Sequence, residues 1–399
     1  RAIRDVYKRQ FFDWLASLVG EHVGNPILAS LLGDGILGGV GAVLTFVPQI
    51  LLMYLLLALL DAVGYMSRAA FLMDKVMSRA GLEGRAFVAM LSSFACAIPG
   101  IMATRTIPSA KDRIATMLSA PLATCSARLP VYVLLVGILV PAGSSLGPVS
   151  VRGLVLFGMY LLGALSAMLA ARVVKKITDR SGTLLPFYME MPPYRIPTPR
   201  SVGMAMWEPT KAFLRKAGTI IMGATIVIWA LTTFPLRSDA EMTAAGVDPS
   251  DEVAATAYNM EHSAAAKVGK AIEPVFAPQG FDWRVNISLI GSMAAREVAV
   301  STLGQVASAS DPEDDVSVSE SVQKWTYTDG PHQGEKVFTP DTTIAMLIFF
   351  AFALQCVATI GILKRESGSW KWPAIAFGYM FVLAWVGSSL AAIITRVVM

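Results

Sequence analysis

Residues 36–60 read ILGGVGAVLTFVPQILLMYLLLALL, a stretch without a single charged side chain. A helix needs roughly 20 apolar residues to cross the hydrocarbon core of a bilayer. Six more uncharged runs of comparable length follow, at residues 86–104, 129–151, 153–171, 217–236, 342–363 and 373–395. A large soluble protein would bury one or two such helices. Seven runs predict an all-α, polytopic membrane bundle.

The overall composition agrees with a chain that lies in lipid. Charged residues make up 16% of the 399 residues and hydrophobic residues 54%, whereas a soluble domain carries about 25% charged residues. The net charge is +4, but no basic stripe interleaved with aromatic residues and no nucleic-acid motif occurs. The lipid bilayer is therefore the expected partner and nucleic acid is not.

The charges are distributed unevenly, which predicts a topology. Residues 172–216 hold nine basic and three acidic side chains, whereas residues 237–284 and 307–341 hold eight acidic side chains each. Loops rich in Lys and Arg stay in the cytoplasm. We therefore expect residues 175–216 to form a basic, Pro-rich cytoplasmic connector, and the two acidic segments to be outer loops.

The ends and the halves of the chain suggest its domain organisation. The sequence does not begin with Met, so we interpret it as a piece of a longer protein in which residues 1–10 could be foreign. Residues 1–35 are predicted to hold an amphipathic interfacial segment. Residues 36–174 and 217–399 then show faint internal similarity, which is typical of transporters built from inverted repeats with a site near the bilayer midplane.

The cysteines Cys96, Cys125 and Cys356 are the candidate metal ligands. Cys96 precedes Pro99-Gly100 and Cys125 lies between Pro121 and Pro130, and proline breaks a helix. Broken helices are tolerated in a membrane only where protein or a water-filled cavity satisfies the backbone. Thiolate suits iron, zinc and Cu(I). The alternative is that each cysteine is a small buried hydrophobe.

Several polar residues near the apolar runs are further candidates for a transport path. Charges within a membrane are costly and indicate function, although a structural pair is the alternative. These residues are Asp61, Met66, Arg68, Ser126, Arg128, Arg296 and Glu297. Methionine is also an adaptable core residue. No phosphate-binding loop, nucleophile elbow or zinc-protease helix occurs, so no enzyme activity and no permanently bound cofactor are predicted.

A series of ordered motifs resembles the membrane region of the ferrous iron transport protein B (FeoB) family. The motifs are Gly64-Tyr-Met-Ser-Arg-Ala-Ala-Phe71, Cys96-Ala-Ile-Pro-Gly-Ile-Met-Ala-Thr-Arg-Thr106, Cys125-Ser-Ala-Arg-Leu-Pro-Val-Tyr132, Glu190-Met-Pro-Pro-Tyr194, Phe213-Leu-Arg-Lys-Ala-Gly-Thr-Ile-Ile221, Gly280-Phe-Asp-Trp-Arg284, Ala295-Arg-Glu-Val298 and Gln355-Cys356. The resemblance implies two Gate segments and Fe²⁺ transport across a bacterial cytoplasmic membrane. It also implies a functional role for the three cysteine blocks, and homo-oligomers or small cytoplasmic accessory proteins of the ferrous iron system as partners.

Two departures from the family pattern limit this reading. The family has Asn after the first cysteine where this chain has Ala97, and the family's GTP-binding domain is missing. We hypothesise that the cysteines offer passing ligands to Fe²⁺ while Asp61 and Glu297 neutralise part of its charge. The alternatives are a Gate-type carrier of nucleosides or another divalent metal, and a membrane scaffold that transports nothing.

Overall fold

The computed structural model describes residues 26–79, 81–141, 143–178, 194, 197–235, 239–244, 258–293, 296, 298–307, 315–327 and 333–398. Almost all regular structure in these ranges is helical. The helices are α1 (Pro26–Ser30), α2 (Gly38–Val63), α3 (Tyr65–Arg79), α4 (Arg85–Ala95), α5 (Ala97–Ala103), α6 (Ala110–Ser119), α7 (Leu129–Leu139), α8 (Val151–Thr178), α9 (Pro199–Thr233), α10 (Asp239–Ala244), α11 (Ala264–Phe276), α12 (Trp283–Ser292), α13 (Val298–Val306), α14 (Asp315–Val322), α15 (Pro340–Phe352), α16 (Val357–Ser367) and α17 (Lys371–Val398). Strands β1 (Ser145–Leu146) and β2 (Val149–Ser150) form one short antiparallel hairpin.

The predicted helical membrane bundle is confirmed. Four helical segments of the described ranges are long and apolar enough to cross a membrane: Ala110–Leu139, Val151–Thr178, Pro340–Ser367 and Lys371–Val398. Ile50–Val63 and Tyr65–Arg79 would make a fifth as a pair bent by 83°. The bend falls at Gly64, whose φ of 85° is a left-handed conformation that glycine adopts without a steric penalty.

Helix α8 shows how the sequence divides its surface between lipid and protein. Its buried side carries Met159, Gly163, Ala167, Ala171 and Lys175, each four residues from the next. The opposite side exposes large apolar residues at a similar spacing, which are Leu154, Phe157, Leu161, Leu165, Leu169, Val173 and Ile177. Small residues on the inner face let neighbouring backbones approach closely, as is usual for membrane helices.

The chain divides into two compact units, residues 1–68 with 190–236 and residues 69–189 with 237–399. In the first unit, α2 packs along α9: Gly39 faces Met222 and Thr225, and Trp229 donates to the Ser30 hydroxyl. The larger apolar core of the second unit is formed mainly by α7, α11, α12, α13, α15 and α17. All three cysteines belong to this second unit.

Helices α4 and α5 fold back on each other to form a hairpin. A Cβ placed on Gly100 would overlap Ser93 Oγ and would lie 2.7 Å from the Ala89 carbonyl oxygen. In a continuous helix, residues 89 and 100 would lie about 16 Å apart along the axis. The sequence between Arg85 and Ala103 therefore enters the protein and turns back at Cys96, as predicted for a re-entrant segment.

Several predicted boundaries differ from the helix ends. Helix α9 begins at Pro199, inside the predicted connector of residues 175–216, because proline is favourable in the first turn of a helix. The predicted outer loops at residues 237–284 and 307–341 contain helices α10, α11 and α14, and α12 begins within the first of them. The amphipathic segment predicted at residues 1–35 lies outside the described residues up to residue 25. The repeat division itself stays a prediction.

Candidate functional site

The three cysteines all stand where extended backbone turns into a helix. Cys96 (φ −159°, ψ 137°) immediately precedes α5, and Cys356 (φ −160°, ψ 102°) immediately precedes α16. Cys125 (φ −83°, ψ 162°) precedes a 3₁₀ turn at Ser126–Arg128 that continues into α7. The first N–H groups of a helix lack intrahelical acceptors and carry partial positive charge. Each thiol group is thus attached beside backbone that favours negative charge.

Arg128 holds the broken backbone together. Its side chain is fully buried, and its guanidinium donates to the carbonyl oxygens of Leu122 at 3.1 Å and Ala123 at 3.2 Å. It also donates to Pro121 and Ala353 at 3.4 Å. Residues 121–123 belong to the break before Cys125, whereas Ala353 begins the break before Cys356. One side chain therefore satisfies carbonyls from both interruptions.

Arg296 also connects the two interruptions, at Cys356 and at Cys125. Its Nε donates to the Gln355 carbonyl oxygen at 3.3 Å, and its Nη1 lies 3.3 Å from the Cys125 Sγ. The side chain is 3% exposed, so solvent screens its charge only weakly. The predicted polar residue Arg296 thus ties the break at Cys356 to the thiol of Cys125.

Further hydrogen bonds join the same segments. Ser126 Oγ donates to the Ala95 carbonyl at 3.0 Å, which connects the hairpin at Cys96 to the turn after Cys125. The Val357 amide donates to the Met293 carbonyl at 3.1 Å. Ser126, a predicted transport-path residue, thus binds a backbone carbonyl through its hydroxyl group.

The three thiol groups share one electrostatic neighbourhood. Cys96 interacts electrostatically with Cys125, Cys356 and Arg296, and Arg128 interacts with Arg296 as well. Among the described residues, however, no three His, Cys, Asp or Glu side chains are grouped closely enough to hold a metal ion. The arrangement is thus a region of three thiol groups beside two buried guanidinium groups, and the described residues form no closed metal cage.

The other predicted site residues are Asp61, Met66, Arg68 and Glu297. Asp61, Met66 and Arg68 belong to the first unit: Asp61 is exposed, Met66 is buried, and Arg68 stacks on the Tyr194 ring at 3.6 Å. Glu297 lies outside the described residues. No role for these four residues at the cysteine region follows from the structure.

Sequence reasoning missed two features. Gln355 and Ala353 contribute carbonyl oxygens to the site, which no side-chain pattern could reveal. The second feature is a buried ionic group. Lys175 Nζ is 2.7 Å from Asp112, and Glu83, which interacts electrostatically with both residues, is 7% exposed with Oε1 unpartnered. Lys175 at the end of an apolar helix was the available signal for this group.

Two family models match this chain. The family model described as Gate, nucleoside recognition, matches residues 43–139 and 214–370. The model of the ferrous iron transport protein B C terminus matches residues 156–208. The chain therefore belongs to the ferrous iron transport protein B family. No solved structure matches it.

Curated relatives of several organisms agree with this assignment. An Fe(2+) transport protein A/Fe(2+) transporter FeoB fusion protein of Porphyromonas gingivalis is 41% identical over 94% of this chain and 46% of its own length. The Fe(2+) transporter FeoB of Leptospira interrogans is 41% identical over 94% and 53% of the two chains, and that of Helicobacter pylori is 35% identical over 97% and 60%. The chain thus spans about half the length of the relatives it matches.

Proposed function

We propose that this chain is the membrane permease part of an Fe²⁺ uptake transporter of a bacterial cytoplasmic membrane, and that Fe²⁺ passes the interruptions at Cys96, Cys125 and Cys356. The observation that carries the proposal is the meeting of two broken spans and a re-entrant hairpin, each with a thiol where its helix begins. The names of the relatives as Fe(2+) transporters support the choice of ion.

The chemistry of the site suits a passing soft ion. A thiol loses its proton when it binds a metal, and the Arg296 guanidinium beside Cys125 Sγ would stabilise the resulting thiolate. Without that negative charge, Fe²⁺ would meet two buried guanidinium groups, Arg128 and Arg296, and be repelled. Thiolate ligands therefore make the region neutral enough for a divalent cation to enter.

Release of the ion is as important as its entry. Transport requires sites that are weak enough for the ion to leave. The described residues offer no grouped set of three ligands, which suits sequential contacts with one or two sulfur atoms. The arginines keep the interruptions in place because they bind carbonyl oxygens, so the ion need not hold the fold together.

The partners in the proposal follow from the relatives. The Porphyromonas gingivalis relative joins a transport protein A to the transporter in one chain, which supports a small accessory protein as a partner of this permease. The relatives are also about twice as long as the matched region, which supports coupling to a further domain such as a GTP-binding one. Homo-oligomer formation belongs to the same proposal.

Uptake into vesicles tests the function. The chain would be reconstituted in liposomes that enclose an Fe²⁺-quenched dye, and uptake would be measured for Fe²⁺, Mn²⁺, Zn²⁺ and labelled nucleosides. We expect Fe²⁺ uptake by the unaltered chain, and an at least tenfold slower rate for Cys96→Ser combined with Cys125→Ser. Ser145→Ala, at an exposed position of β1, is the control and should transport normally.

The alternatives predict different results. Uptake of nucleosides but not Fe²⁺ would favour the activity suggested by the Gate family description. Vesicles that pass nothing would favour a scaffold. Normal Fe²⁺ uptake by the double variant would leave the permease intact but reduce the cysteines to packing residues.

A further inference from the structure

The turn between α16 and α17 carries a surplus of positive charge. Lys364 and Arg365 lie in the last turn of α16, Lys371 is the first residue of α17, and all three are exposed. The one carboxylate in this stretch is that of Glu366, whose side chain is 7% exposed. Arg105 already binds it through Nε at 2.7 Å and Nη2 at 2.5 Å. The turn therefore presents the charge of three basic side chains to its surroundings.

The two lysines of the turn lie beside aromatic rings rather than carboxylates. The Lys364 ammonium is 4.6 Å from the centroid of the Trp370 ring, and the Lys371 ammonium is 5.7 Å from that of Trp372. Among the described residues, neither lysine forms an ion pair with a carboxylate. A ring face attracts a cation but carries no net charge. Both ammonium groups can therefore bind an anion from outside the protein.

The turn lies where two candidate membrane spans end. It joins the segments Pro340–Ser367 and Lys371–Val398, both long and apolar enough to cross a bilayer. The Trp370 side chain is 61% exposed, and tryptophan is enriched at the level of the lipid headgroups. At the other end of α17, Arg396 binds Asp341 of the second acidic segment at 2.6 Å. The basic turn is thus at the end that the charge distribution predicts to face the cytoplasm.

One side of α17 continues from the basic turn with exposed apolar residues. Lys371 is followed at intervals of four, seven and four residues by Ile375, Val382 and Val386, a spacing that places all four on one side of a helix. The three apolar side chains are 41%, 59% and 41% exposed. A molecule along this side would meet a cation first and hydrocarbon further into the bilayer. That is the order of the headgroup and the acyl chains in a phospholipid.

We propose that the α16–α17 turn is a binding site for an anionic phospholipid, whose phosphate group is bound by Lys364 and Lys371 and whose acyl chains lie along Ile375 and Val382. Basic clusters at the cytoplasmic ends of membrane helices attract anionic lipids. A zwitterionic headgroup brings a cation of its own, which the basic side chains repel. A soluble phosphate has no acyl chain to place against α17. The site does not depend on which ion the chain transports.

Native mass spectrometry of the delipidated chain in detergent tests the proposal. The probes are phosphatidylglycerol and phosphatidylcholine with identical acyl chains. We expect the unaltered chain to bind phosphatidylglycerol about tenfold more tightly, because each basic side chain at the surface adds to the attraction of anionic lipids. Lys364→Gln combined with Lys371→Gln should reduce this preference to about twofold. Lys364→Arg combined with Lys371→Arg keeps the charge and should keep the preference.

A second pair of exposed lysines provides the matched control. Lys267→Gln combined with Lys324→Gln removes the same charge from the two predicted outer segments and should leave the preference unchanged. Glycerol phosphate, a soluble analogue of the headgroup, should not displace the bound lipid. Equal binding of the two lipids by the unaltered chain, displacement by glycerol phosphate, or an equal loss in both Lys→Gln pairs overturns the proposal. The comparison of the two lipids needs no variant, so it is decisive even where a substitution prevents folding.

Discussion

Glu83 is a buried carboxyl group whose Oε1 has no hydrogen-bond partner. It lies in the turn between α3 and α4, where it is 7% exposed. Burial raises the pKa of Glu83 above its ordinary value, and the nearby Asp112 carboxylate raises it further. Arg85 and Lys175 oppose this rise, and Asp74 adds to it. Folding therefore favours the protonated form of Glu83 more than the unfolded chain does.

The pKa of Glu83 predicts a pH-dependent stability. The native state binds this proton more tightly than the unfolded chain does. Protonated Glu83 therefore contributes its full share of stability below the unfolded pKa, and this stability is lost as pH rises through the native pKa. Glu83→Gln should leave the Tm at pH 4 nearly unchanged and raise it at pH 8, as measured by thermal unfolding in detergent. Glu320→Gln, at an exposed carboxylate, is the control; identical pH profiles of Glu83→Gln and the unaltered chain would contradict the prediction.

The interrupted helices are the elements that make the site. Prolines predicted two of the three interruptions. Pro99 lies in the first turn of α5, and Pro121 and Pro130 flank the break at Cys125. The third break, at Ala353–Cys356, has no proline. There the donors are tertiary, since Arg128 and Arg296 bind the freed carbonyls of Ala353 and Gln355. Local sequence could not reveal that interruption, because its partners are distant in the chain.

A proline does not always interrupt a helix in this chain. Pro48 lies within α2 and Pro274 within α11, and both helices continue past them. Proline lacks one donor and crowds the preceding turn, but packing of the helix can outweigh that cost. Helix existence could thus be predicted from apolar runs, whereas the positions of the breaks could be predicted only in part.

The α4–α5 hairpin predicts the effect of a single methyl group. Gly100→Ala would place Cβ 2.7 Å from the Ala89 carbonyl oxygen, a main-chain atom that cannot rotate away. Overpacking of this kind costs about 1–3 kcal/mol or more, so we expect a lower Tm and slower Fe²⁺ uptake. Gly137→Ala, in α7 with nothing within 4 Å of the added atom, should be neutral or stabilising. Equal Tm values for the two variants would contradict the hairpin geometry.

At the scale of the whole molecule, the charge distribution predicts which segments face the cytoplasm. Ser201 lies in the basic connector and Lys324 in the second acidic segment, and both are exposed. Ser201→Cys should react with an impermeant thiol reagent only after cells are permeabilised, whereas Lys324→Cys should react in intact cells. Labelling is measured relative to the unaltered chain with its three cysteines. Reaction of both positions from the same side would refute the predicted topology.

The family and the fold class of the whole chain could be predicted from sequence, because long apolar runs and ordered motifs carry that information directly. A cavity lined by Leu289, Phe349 and Phe381 could not be predicted from sequence, since its lining residues come from four helices that only the fold brings together. The ion pair of Lys175 could be predicted in part. The place of Lys175 in an apolar helix indicates an acidic partner, but only the fold identifies that partner as Asp112.

The two Nη atoms of Arg128 donate to four oxygens, and all four belong to the main chain, whereas its buried Nε has no partner. Every amino-acid type supplies such an oxygen, so neighbouring positions can drift in identity without depriving the guanidinium of an acceptor. No other amino-acid type carries five N–H donors in a rigid fork. In saturation mutagenesis, position 128 should therefore accept no other residue, Lys included, whereas positions 122, 123 and 353 should accept other apolar residues that fit their buried surroundings.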